Sequence, residues 1–509
     1  MADNANLYAR LAAGFDLAAV LLELPDGTRH TYGDAERASA KVANALGSLG
    51  LVQGDCVAVV ADKSVALLWL YLGCLRAGVI YQPLNSSYSE RELAFFIGNS
   101  GARLVVHAPQ LAERVTMACA QCPQSPQRLT LDAQGGGELA VLWVNAPERF
   151  ATTAAEGDTV AALLYSSGTT GTPKGIPISH GNLYSNAAAL RDTWGFTRDD
   201  VLLHALPFYH VHGLFITLHP AILAGMRLRF HARFDAEEVV AGLAGASLFA
   251  GVPTYYTRLL AAPSFTREVS ATIRLFICGS APLLASTFDE FAERSGQLIL
   301  ERYGMTETGI NTSNPLHGER RSGSVGLPLP GVDVRVVDTQ GQVVPQGDIG
   351  EIEVRGPNVF RSYWRLPEQT AQAFSADGYF HTGDQGRFDT QGYLHIVGRS
   401  KDMIISGGLN VYPKEIEFEL DELPGVVESA VFGVPHADFG EAVIAAVIVR
   451  GEFDEAAVMQ HLRGRLAGFK LPKRIVSVAE LPRNTMGKVQ KSRLRDSSAQ
   501  LFSADTPRG

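Results

Sequence analysis

Cysteine is scarce in this sequence: it provides five of 509 residues, an odd number, most of them inside apolar runs. So few cysteines offer no disulfide framework and indicate a reducing compartment. Cys119 and Cys122 have C-x-x-C spacing, but no second cysteine pair and no suitably spaced histidine accompanies them. We therefore expect neither a disulfide-stabilised secreted protein nor a zinc site.

Long hydrophobic runs and an excess of positive charge are also missing. No stretch reaches the ~18 uninterrupted apolar residues of a transmembrane helix, and residues 65–75, which come nearest, are better explained as a buried helix. Residues 1–11 contain an acid and no long apolar core, so we expect no signal or transit peptide and a cytoplasmic protein. The net charge of −9 provides no broad basic surface for nucleic acid, although a local site can still bind an anion.

The remaining composition is that of a globular protein, with 46% hydrophobic and 19% charged residues. A chain of 509 residues is too long for one hydrophobic core and should divide into domains. Amphipathic helical patterns alternate with short apolar strand patterns, for example in residues 56–61 and 64–77. This alternation predicts layered α/β subdomains with parallel strands.

Two changes of pattern subdivide the chain. From about residue 325 to about residue 397 the sequence becomes β-like and rich in turns, and residues 398–402 form a charged, hinge-like stretch. We therefore predict a large N-terminal domain, residues 1–398, in which α/β subdomains are joined by a β-rich subdomain. A small, mobile α+β domain, residues 399–509, is predicted to follow.

The most informative stretch is residues 165–175, Tyr-Ser-Ser-Gly-Thr-Thr-Gly-Thr-Pro-Lys-Gly, which follows an apolar strand pattern at residues 160–164. Glycines let backbone N–H groups approach an anion, hydroxyls donate to phosphate oxygens or bind Mg²⁺, and Lys174 adds a positive charge. The pattern predicts a phosphate-binding loop. It is not a Walker A motif, because Pro173 occupies the second glycine position and Gly175 follows the lysine.

This loop resembles the signature of the acyl-adenylate-forming superfamily, which contains acyl-CoA synthetases, aryl-CoA ligases, luciferases and peptide-synthetase adenylation domains. Further motifs follow in the order and spacing of that family: residues 279–282 (Gly-Ser-Ala-Pro), 302–307 (Arg-Tyr-Gly-Met-Thr-Glu), 379–384 (Tyr-Phe-His-Thr-Gly-Asp) and 481–488 (Leu-Pro-Arg-Asn-Thr-Met-Gly-Lys). The resemblance covers residues 165–488 and is highly specific as a set.

The resemblance implies a role for each matching residue. The expected catalytic residues are Lys488, Glu307 and Lys174, and the expected Mg²⁺ ligands are Glu307 and Thr169. The expected hinge is Lys401, and the expected coenzyme A channel comprises Gly407, Gly408 and Leu409. The expected nucleotide-binding residues are Ser166, Ser167, Gly168, Thr169, Thr170, Gly171, Gly279, Ser280, Ala281, Tyr303, Gly304, Met305, Thr306, Asp384 and Arg399.

The reaction that the resemblance implies has two steps, with ATP and coenzyme A as co-substrates and Mg²⁺ as cofactor. A carboxylate attacks the α-phosphate of ATP and gives acyl-AMP and pyrophosphate, a step in which positioning and charge neutralisation supply most of the catalysis. The small domain then rotates, withdraws Lys488 and admits the coenzyme A thiolate, which takes the acyl group.

One residue departs from the usual family pattern. The position before Tyr303 is commonly glycine in the superfamily, where the acyl chain passes, but here it is Arg302. A guanidinium there would exclude a fatty chain and suit a second carboxylate, which it can hold through two parallel hydrogen bonds. His210 could donate to the same carboxylate, whereas His212 is explained equally well as a structural residue. The alternative is that Arg302 pairs with a protein acid such as Glu301.

These features favour a small dicarboxylate, and malonate is among the shortest. Residues 301–308, 311–315, 407–416 and 481–491 also resemble the malonyl-CoA synthetases in particular, several of which accept methylmalonate. We therefore expect an ATP-dependent malonate–CoA ligase that could also use methylmalonate. Its Lys488, in an exposed loop, could be a target for a lysine acyltransferase.

Several alternatives stay open. Arg302 could be structural in a ligase for another small, medium-chain or aryl carboxylate. A peptide-synthetase adenylation domain is less consistent with the sequence, because no carrier-domain serine motif follows Lys488. A binding protein on a degenerate scaffold is disfavoured by the intact charged residues of every motif, and a P-loop kinase by the mismatch to Walker A.

Overall fold

The computed structural model describes residues 4–166, 173–406, 409–436, 439–451, 453–484 and 487–498. Within these residues the chain forms four β-sheets with helices packed against them. A large N-terminal part contains three of the sheets, and a smaller C-terminal part contains the fourth. The predicted fold class, a layered α/β protein with a smaller α+β domain after it, is confirmed.

A six-stranded sheet is built from the N-terminal third of the chain. In spatial order its strands are Gln127–Thr130, Leu104–His107, Cys56–Val60, Ile80–Leu84, Val160–Ser166 and Lys174–Ser179. Every residue of Cys56–Val60 is buried, which explains its continuously apolar sequence between two parallel neighbours. The last two strands are antiparallel, so the predicted phosphate-binding loop connects neighbouring strands at one edge of this sheet.

A nine-stranded sheet holds the other motifs of the N-terminal part. Its spatial order is Leu327–Pro328, Gly309–Ser313, Ile299–Met305, Leu275–Cys278, Leu248–Gly251, Val201–His204, Arg227–Phe230, Val20–Glu23 and Arg29–Thr31. The strands from Ile299–Met305 to Val20–Glu23 are parallel, so their carboxyl ends meet at one edge, where ligands bind in open α/β sheets. Buried residues of both sheets, such as Leu164 and Leu202, belong to one continuous hydrophobic core.

The β-rich region predicted around residues 325–397 forms a four-stranded antiparallel sheet. Its strands are Asp333–Val337, Gly350–Arg355, Phe380–Phe388 and Leu394–Arg399. The domain boundary predicted between residues 398 and 399 falls one residue before the end of the last strand, and its exact position stays a prediction.

The C-terminal part has a sheet and hydrophobic cores of its own. Its strands are Leu409–Val411, Ile404–Ser406, Gly440–Val449 and Val426–His436 in spatial order, and Arg474–Ser477 lies parallel to Gly440–Val449. A short 3₁₀ turn, Ser400–Asp402, connects this part to the four-stranded sheet.

The helices begin where the sequence provides hydrogen-bonding caps. Thr31 accepts from the backbone of Asp34 while the Asp34 carboxylate accepts from the backbone of Thr31, and Ser179 and Asn182 repeat this arrangement. The α-helices are Leu7–Ala12, Tyr32–Ser48, Val65–Ala77, Glu90–Ser100, Ala112–Ala120, Glu138–Val144, His180–Thr193, Leu218–Leu223, Ala236–Leu243, Pro253–Ala261, Arg267–Ser270, Ala285–Ser295, Pro367–Gln372, Pro413–Asp421, Glu455–Arg465 and Lys491–Ser498. Further 3₁₀ turns are Pro109–Leu111 and Gly468–Lys470, and His212–Thr217 is a π-helix. None of the described helices combines the length and apolar character that crossing a membrane would require.

Candidate active site

The predicted phosphate-binding loop leaves the edge of the six-stranded sheet. Ser166 and Lys174 are directly opposite each other on its two antiparallel strands. The Ser166 hydroxyl donates a hydrogen bond to Glu307 Oε1 over 3.1 Å, which brings this loop to the end of the nine-stranded sheet. Five predicted residues of the loop lie outside the described residues: Ser167, Gly168, Thr169, Thr170 and Gly171.

Glu307 and Lys174, both predicted catalytic residues, lie near the same tyrosine, Tyr363. Glu307 is buried, and this burial raises the pKa of its carboxyl, while the hydrogen bond from Ser166 opposes the rise. Burial and the charge of Glu307 raise the pKa of the Tyr363 hydroxyl, and the Lys174 ammonium lies 4.7 Å from the centroid of the Tyr363 ring. Sequence reasoning missed Tyr363, because a lone tyrosine in a loop carries no pattern of its own.

The predicted nucleotide residues from two different sheets meet directly. The Tyr303 hydroxyl donates to Asp384 Oδ2 over 2.6 Å, and Arg399 Nε lies 2.9 Å from Asp384 Oδ1. Asp384 and Arg399 are opposite each other on adjacent strands. The buried Asp384 carboxylate raises the pKa of Arg399 overall, although burial acts in the other direction. The cluster places an aromatic ring, an acceptor and a cation together, the groups needed to bind a nucleoside phosphate.

The residues beside Tyr303 are shaped by a close approach of two strands. A Cβ on Gly304 would lie 1.9 Å from the Gly309 carbonyl oxygen of the neighbouring strand, so only glycine fits there. Met305 ends the strand and Thr306 follows it; both remain partly exposed. The chain can therefore turn sharply from Tyr303 to Glu307 without separating the two strands.

Lys488 reaches this group from the C-terminal part of the chain. Burial and the positive charge of Arg399 lower its pKa to about 8, and Asp384 acts in the opposite direction. Much of the residue is still exposed, so solvent limits this lowering. The charges of Arg399 and Asp384 thus act on Lys488, and a Cβ on its neighbour Gly487 would lie 3.2 Å from Thr254 of the N-terminal part. The catalytic role of Lys488 stays a prediction.

Arg302 is buried and lacks hydrogen-bond partners for two of its donors. It is 5% exposed, and its Nε and Nη2 atoms have no partner among the described residues. Burial lowers its pKa to about 10. Gly279 makes room for it, since a Cβ at that position would lie 2.5–2.6 Å from the guanidinium. Unpaired buried donors are costly unless an acceptor arrives, so this guanidinium is suited to an anion.

The turn after Gly279 contains the next two predicted residues. Ser280 has a positive φ of 75°, an uncommon conformation for a residue with a side chain that is frequent at functional sites. Its hydroxyl lies 3.2 Å from His212 Nδ1, and Ala281 follows in the same turn. This turn of predicted nucleotide-binding residues therefore contacts His212.

Histidines form the wall beside Arg302. Burial, followed by the charge of Arg302, lowers the pKa of His210 to about 4 and that of His212 well below its usual value. The His212 backbone N–H donates to His210 Nδ1 over 3.2 Å, and His212 Nε2 has no partner among the described residues. Because both imidazoles are neutral, they can donate hydrogen bonds without adding two more buried charges.

A buried lysine, Lys63, is connected to the segment that carries these histidines through a chain of hydrogen bonds. Lys63 Nζ donates to His204 Nδ1, the His204 carbonyl and the His231 carbonyl over 2.6–2.7 Å. His204 Nε2 then donates to the carbonyl of Gly213 over 2.9 Å, at the start of the π-helix His212–Thr217. Burial lowers the pKa of Lys63 well below its usual value. Sequence reasoning missed Lys63, since an isolated lysine normally indicates a solvated surface.

Glu301 does not neutralise Arg302. Adjacent residues of a strand point to opposite faces, and Glu301 Oε1 instead accepts a hydrogen bond from the Leu283 backbone over 3.3 Å. No ion pair joins Glu301 and Arg302, and Glu301 Oε2 has no partner among the described residues. Burial raises the pKa of Glu301 to about 7. The alternative that Arg302 is held by Glu301 therefore lacks its key contact.

The predicted hinge and coenzyme A residues lie at the start of the C-terminal part. Lys401 is exposed in the turn Ser400–Asp402. Leu409, 48% exposed, begins a strand, whereas Gly407 and Gly408 lie outside the described residues. The roles of these residues stay predictions.

The oxygen atoms near Glu307 are compatible with the predicted Mg²⁺. A carboxylate and a hydroxyl are hard ligands of the kind Mg²⁺ prefers, with phosphate oxygens completing its shell. The described residues contain no group of three or more His, Cys, Asp or Glu side chains that could hold a metal by themselves.

Comparison with known proteins agrees with this geometry. The AMP-binding enzyme family model matches residues 9–364, and the AMP-binding enzyme C-terminal domain model matches residues 415–488. The chain is 36% identical over 476 residues to the feruloyl-CoA synthase of an Amycolatopsis species, with 92% of this chain and 94% of that protein covered. It is 34% identical over 481 residues to the malonate–CoA ligase of Arabidopsis thaliana, with 88% and 79% covered.

A solved structure is similar over nearly the whole chain. The crystal structure of ATP-bound MatB from Rhodopseudomonas palustris has a TM-score of 0.95 and 48% sequence identity, and the match covers 98% of this chain and 100% of that one. The matches include both the sheets that hold Arg302 and Asp384 and the segment that holds Lys488. The chain therefore belongs to the AMP-binding enzymes of the acyl-adenylate-forming superfamily, among relatives that include malonate–CoA ligase.

Proposed function

We propose that this protein is an acid–CoA ligase that uses ATP to join malonate, and also methylmalonate, to coenzyme A. Membership of the family and the acid–CoA ligases among the relatives support the general reaction. The choice of malonate rests on the chemistry of the acyl pocket. Relatives that act on larger acids are similar in sequence to about the same degree, so overall similarity does not decide between substrates.

The buried guanidinium of Arg302 carries the proposal. Its Nε and Nη2 donors are unpaired among the described residues, and the nearby imidazoles of His210 and His212 add potential donors rather than an acid. A fatty or aryl group in this pocket would leave the guanidinium desolvated and unpaired, which costs several kcal/mol. The second carboxylate of malonate would supply the missing acceptors in a two-point hydrogen bond.

In the first step, one carboxylate oxygen of malonate attacks the α-phosphorus of ATP and pyrophosphate leaves. Tyr303, Asp384 and Arg399 would hold the nucleoside, and Lys174 would bind the departing phosphates. Lys488 would lie between the attacked phosphate and the carboxylate, where its charge stabilises the transition state. Mg²⁺, held by Glu307 and by the phosphates, would neutralise part of the polyphosphate charge.

In the second step, the coenzyme A thiolate attacks the acyl carbonyl of malonyl-AMP, and AMP leaves. The thiolate must approach from the side that Lys488 occupies in the present arrangement. We therefore assign Lys401 as the residue about which the C-terminal part turns, with residues 407–409 meeting the pantetheine arm. Acylation of Lys488 would remove the charge needed in the first step.

The test measures pyrophosphate release with ATP, Mg²⁺ and coenzyme A for malonate, methylmalonate, acetate, butyrate and benzoate. We expect malonate to have the highest kcat/KM, with methylmalonate next. Replacement of Arg302 by methionine should lower kcat/KM for malonate by about 100-fold, since a buried charge pair loses one partner. The kcat/KM of Arg302→Lys for malonate should lie between the values for the wild type and Arg302→Met, because lysine keeps the charge but loses the planar fork.

Arg294→Met is the matched control. Its guanidinium donates to the carbonyls of Phe265, Leu260 and Ala262, so its loss should affect stability without changing the order of substrates. A wild-type preference for butyrate or benzoate would contradict the malonate assignment while leaving the ligase reaction intact. An equal loss for every acid in Arg302→Met would show that Arg302 is structural.

A further inference from the structure

Tyr363 lies beside both charged residues of the proposed phosphate site. It is 8% exposed. The Lys174 ammonium lies 4.7 Å from the ring centroid, and burial, together with the charge of the nearby Glu307 carboxylate, raises the pKa of the phenol. Its ring also packs edge-on against Phe360 at 4.8 Å between centroids. The tyrosine is therefore fixed in place and belongs to no motif that the sequence analysis identified.

Backbone hydrogen bonds attach the Tyr363 segment to both residues. The Phe360 N–H donates to the Glu307 carbonyl over 2.9 Å, and the Trp364 N–H donates to the carbonyl of Gly175, next to Lys174, over 2.8 Å. The Tyr363 N–H donates to Thr370 Oγ1 over 2.9 Å. The segment is thus attached to the start of the edge strand Lys174–Ser179 and to the turn that follows the internal strand Ile299–Met305.

The placement solves an electrostatic problem. A flexible lysine and a carboxylate close together in a partly buried site would form an ion pair, and neither charge would then be available to an incoming ligand. No ion pair joins Lys174 to any acid among the described residues. An aromatic face offers the ammonium a weaker contact, which a phosphate oxygen can replace at low cost.

We propose that Tyr363 is a positioning residue of the nucleotide site: its ring keeps Lys174 apart from Glu307, and its hydroxyl orients the Glu307 carboxylate. Both charges then remain available, Lys174 for the polyphosphate and Glu307 for the accompanying Mg²⁺. The inference rests on the proposed function, because it takes these two residues as ligands of Mg²⁺-ATP.

The experiment separates the ring from the hydroxyl. Tyr363→Leu removes both, so Lys174 and Glu307 can pair, and we expect the KM for ATP to rise about tenfold while the KM for malonate changes little. Tyr363→Phe keeps the ring, so the KM for ATP should stay near the wild-type value, but the Mg²⁺ concentration for half-maximal rate should rise. Calorimetric titration with Mg²⁺-ATP, without any carboxylic acid, should reproduce the order of ATP affinities.

Tyr8 provides the matched control. Its hydroxyl donates to Glu36, and the Arg76 guanidinium lies 4.9 Å from its ring centroid, so it repeats the carboxylate–tyrosine–cation arrangement outside the motifs of the site. Tyr8→Leu and Tyr8→Phe should leave the ATP and Mg²⁺ responses unchanged.

Two results would overturn the inference: unchanged ATP affinity in Tyr363→Leu, or parallel increases in the KM values for ATP and malonate. If Tyr363→Leu does not fold, the Mg²⁺ response of Tyr363→Phe decides the role of the hydroxyl and an unchanged response overturns the proposal. These ATP readouts do not depend on which acid is the substrate. Absence of ATP binding by the wild-type protein would instead contradict the proposed function itself.

Discussion

At the scale of single residues, the charged side chains of the site differ in whether they have partners within the protein. Asp384 is satisfied by Tyr303 and Arg399, whereas Arg302 keeps unpaired donors and Lys174 lies over an aromatic ring. Lys488 is intermediate, since a cation and an anion are both near it. The paired groups therefore shape the site, and the unpaired ones remain available for substrates.

The pH dependence of the first step should follow the protonation state of Lys488. Burial and Arg399 lower its pKa to about 8, so the ammonium form required for charge stabilisation is present below that pH and lost above it. We expect kcat/KM for pyrophosphate release to fall above about pH 8. Bound anions stabilise the ammonium, so kcat should begin to fall at a higher pH.

Lys488→Arg is the matched variant for this titration, because a guanidinium keeps its charge throughout the accessible pH range. Its activity will be lower, since the side chain is longer, but its alkaline decrease should disappear or move to higher pH. The same decrease in the variant and the wild type would assign the titration to another group.

The residues that could be predicted from sequence lie inside contiguous motifs. Tyr303 and Glu307 belong to one six-residue run, and the resemblance of that run to a superfamily motif implied their roles. Lys63 and Tyr363 could not be predicted, because each is isolated in sequence and gains its meaning from contacts with residues more than 50 positions away. Arg302 was an intermediate case. The sequence showed an arginine where the family commonly has glycine, but only the fold shows that its donors are unpaired.

At the scale of elements, the proposed acyl pocket lies where regular structure is interrupted. The strand Val201–His204 ends at the segment that carries His210, and the π-helix His212–Thr217 follows. The Thr217 hydroxyl donates to the His212 carbonyl over 3.0 Å. Sequence periodicity could not predict the π-helix, because one extra residue per turn leaves no distinct apolar pattern.

Replacement of Lys63 by methionine should disturb this element. The change leaves His204 Nδ1 and two buried carbonyls without their donor, so the wall at His210 and His212 loses its support. We expect the KM for malonate to rise by about tenfold, with a much smaller change in the KM for ATP, since one buried network is lost. Steady-state kinetics with each substrate varied in turn measures both values.

Arg76→Met controls for the loss of a buried cation in general. Arg76 is also 5% exposed and donates to the Phe150 and Glu36 carbonyls, away from the pocket wall. The Arg76→Met variant should have a lower melting temperature without a selective change in the KM for malonate. If both variants give the same kinetic changes, Lys63 has only a general structural role.

At the scale of the whole molecule, the cluster of Tyr303, Asp384 and Arg399 adjoins the connection between the N-terminal and C-terminal parts. Arg399 pairs with Asp384 and ends the strand Leu394–Arg399, and the turn Ser400–Asp402 begins at the next residue. The alternation of helices and strands was enough to predict the layered sheets. The partners of the strands that join the sheets were not predictable, since they are set by contacts between distant segments.

Lys401→Pro should separate the two half-reactions. Proline fixes φ near the value of a 3₁₀ turn, so the present arrangement, with Lys488 near Asp384, should persist. We expect pyrophosphate release from ATP and malonate to be retained and transfer to coenzyme A to be slowed by about tenfold or more. Single-turnover measurements of malonyl-AMP formation and consumption distinguish the two steps.

Lys401→Ala removes the charge but not the backbone freedom, so it should retain both half-reactions. Equal losses of both steps in Lys401→Pro would contradict a hinge at this residue, as would an unchanged rate of thioester formation.

The buried, unpaired guanidinium of Arg302 also has a practical consequence for handling the protein. A ligand that binds only the folded state stabilises it in proportion to its concentration and affinity, and simple polycarboxylates offer the acceptors that Arg302 lacks. Citrate or malonate used as a buffer, precipitant or storage salt should therefore raise the melting temperature and, at the same time, act as a competitive inhibitor or hidden substrate. Assays and crystallisation trials are best begun in chloride salts, with each polycarboxylate added deliberately as a ligand.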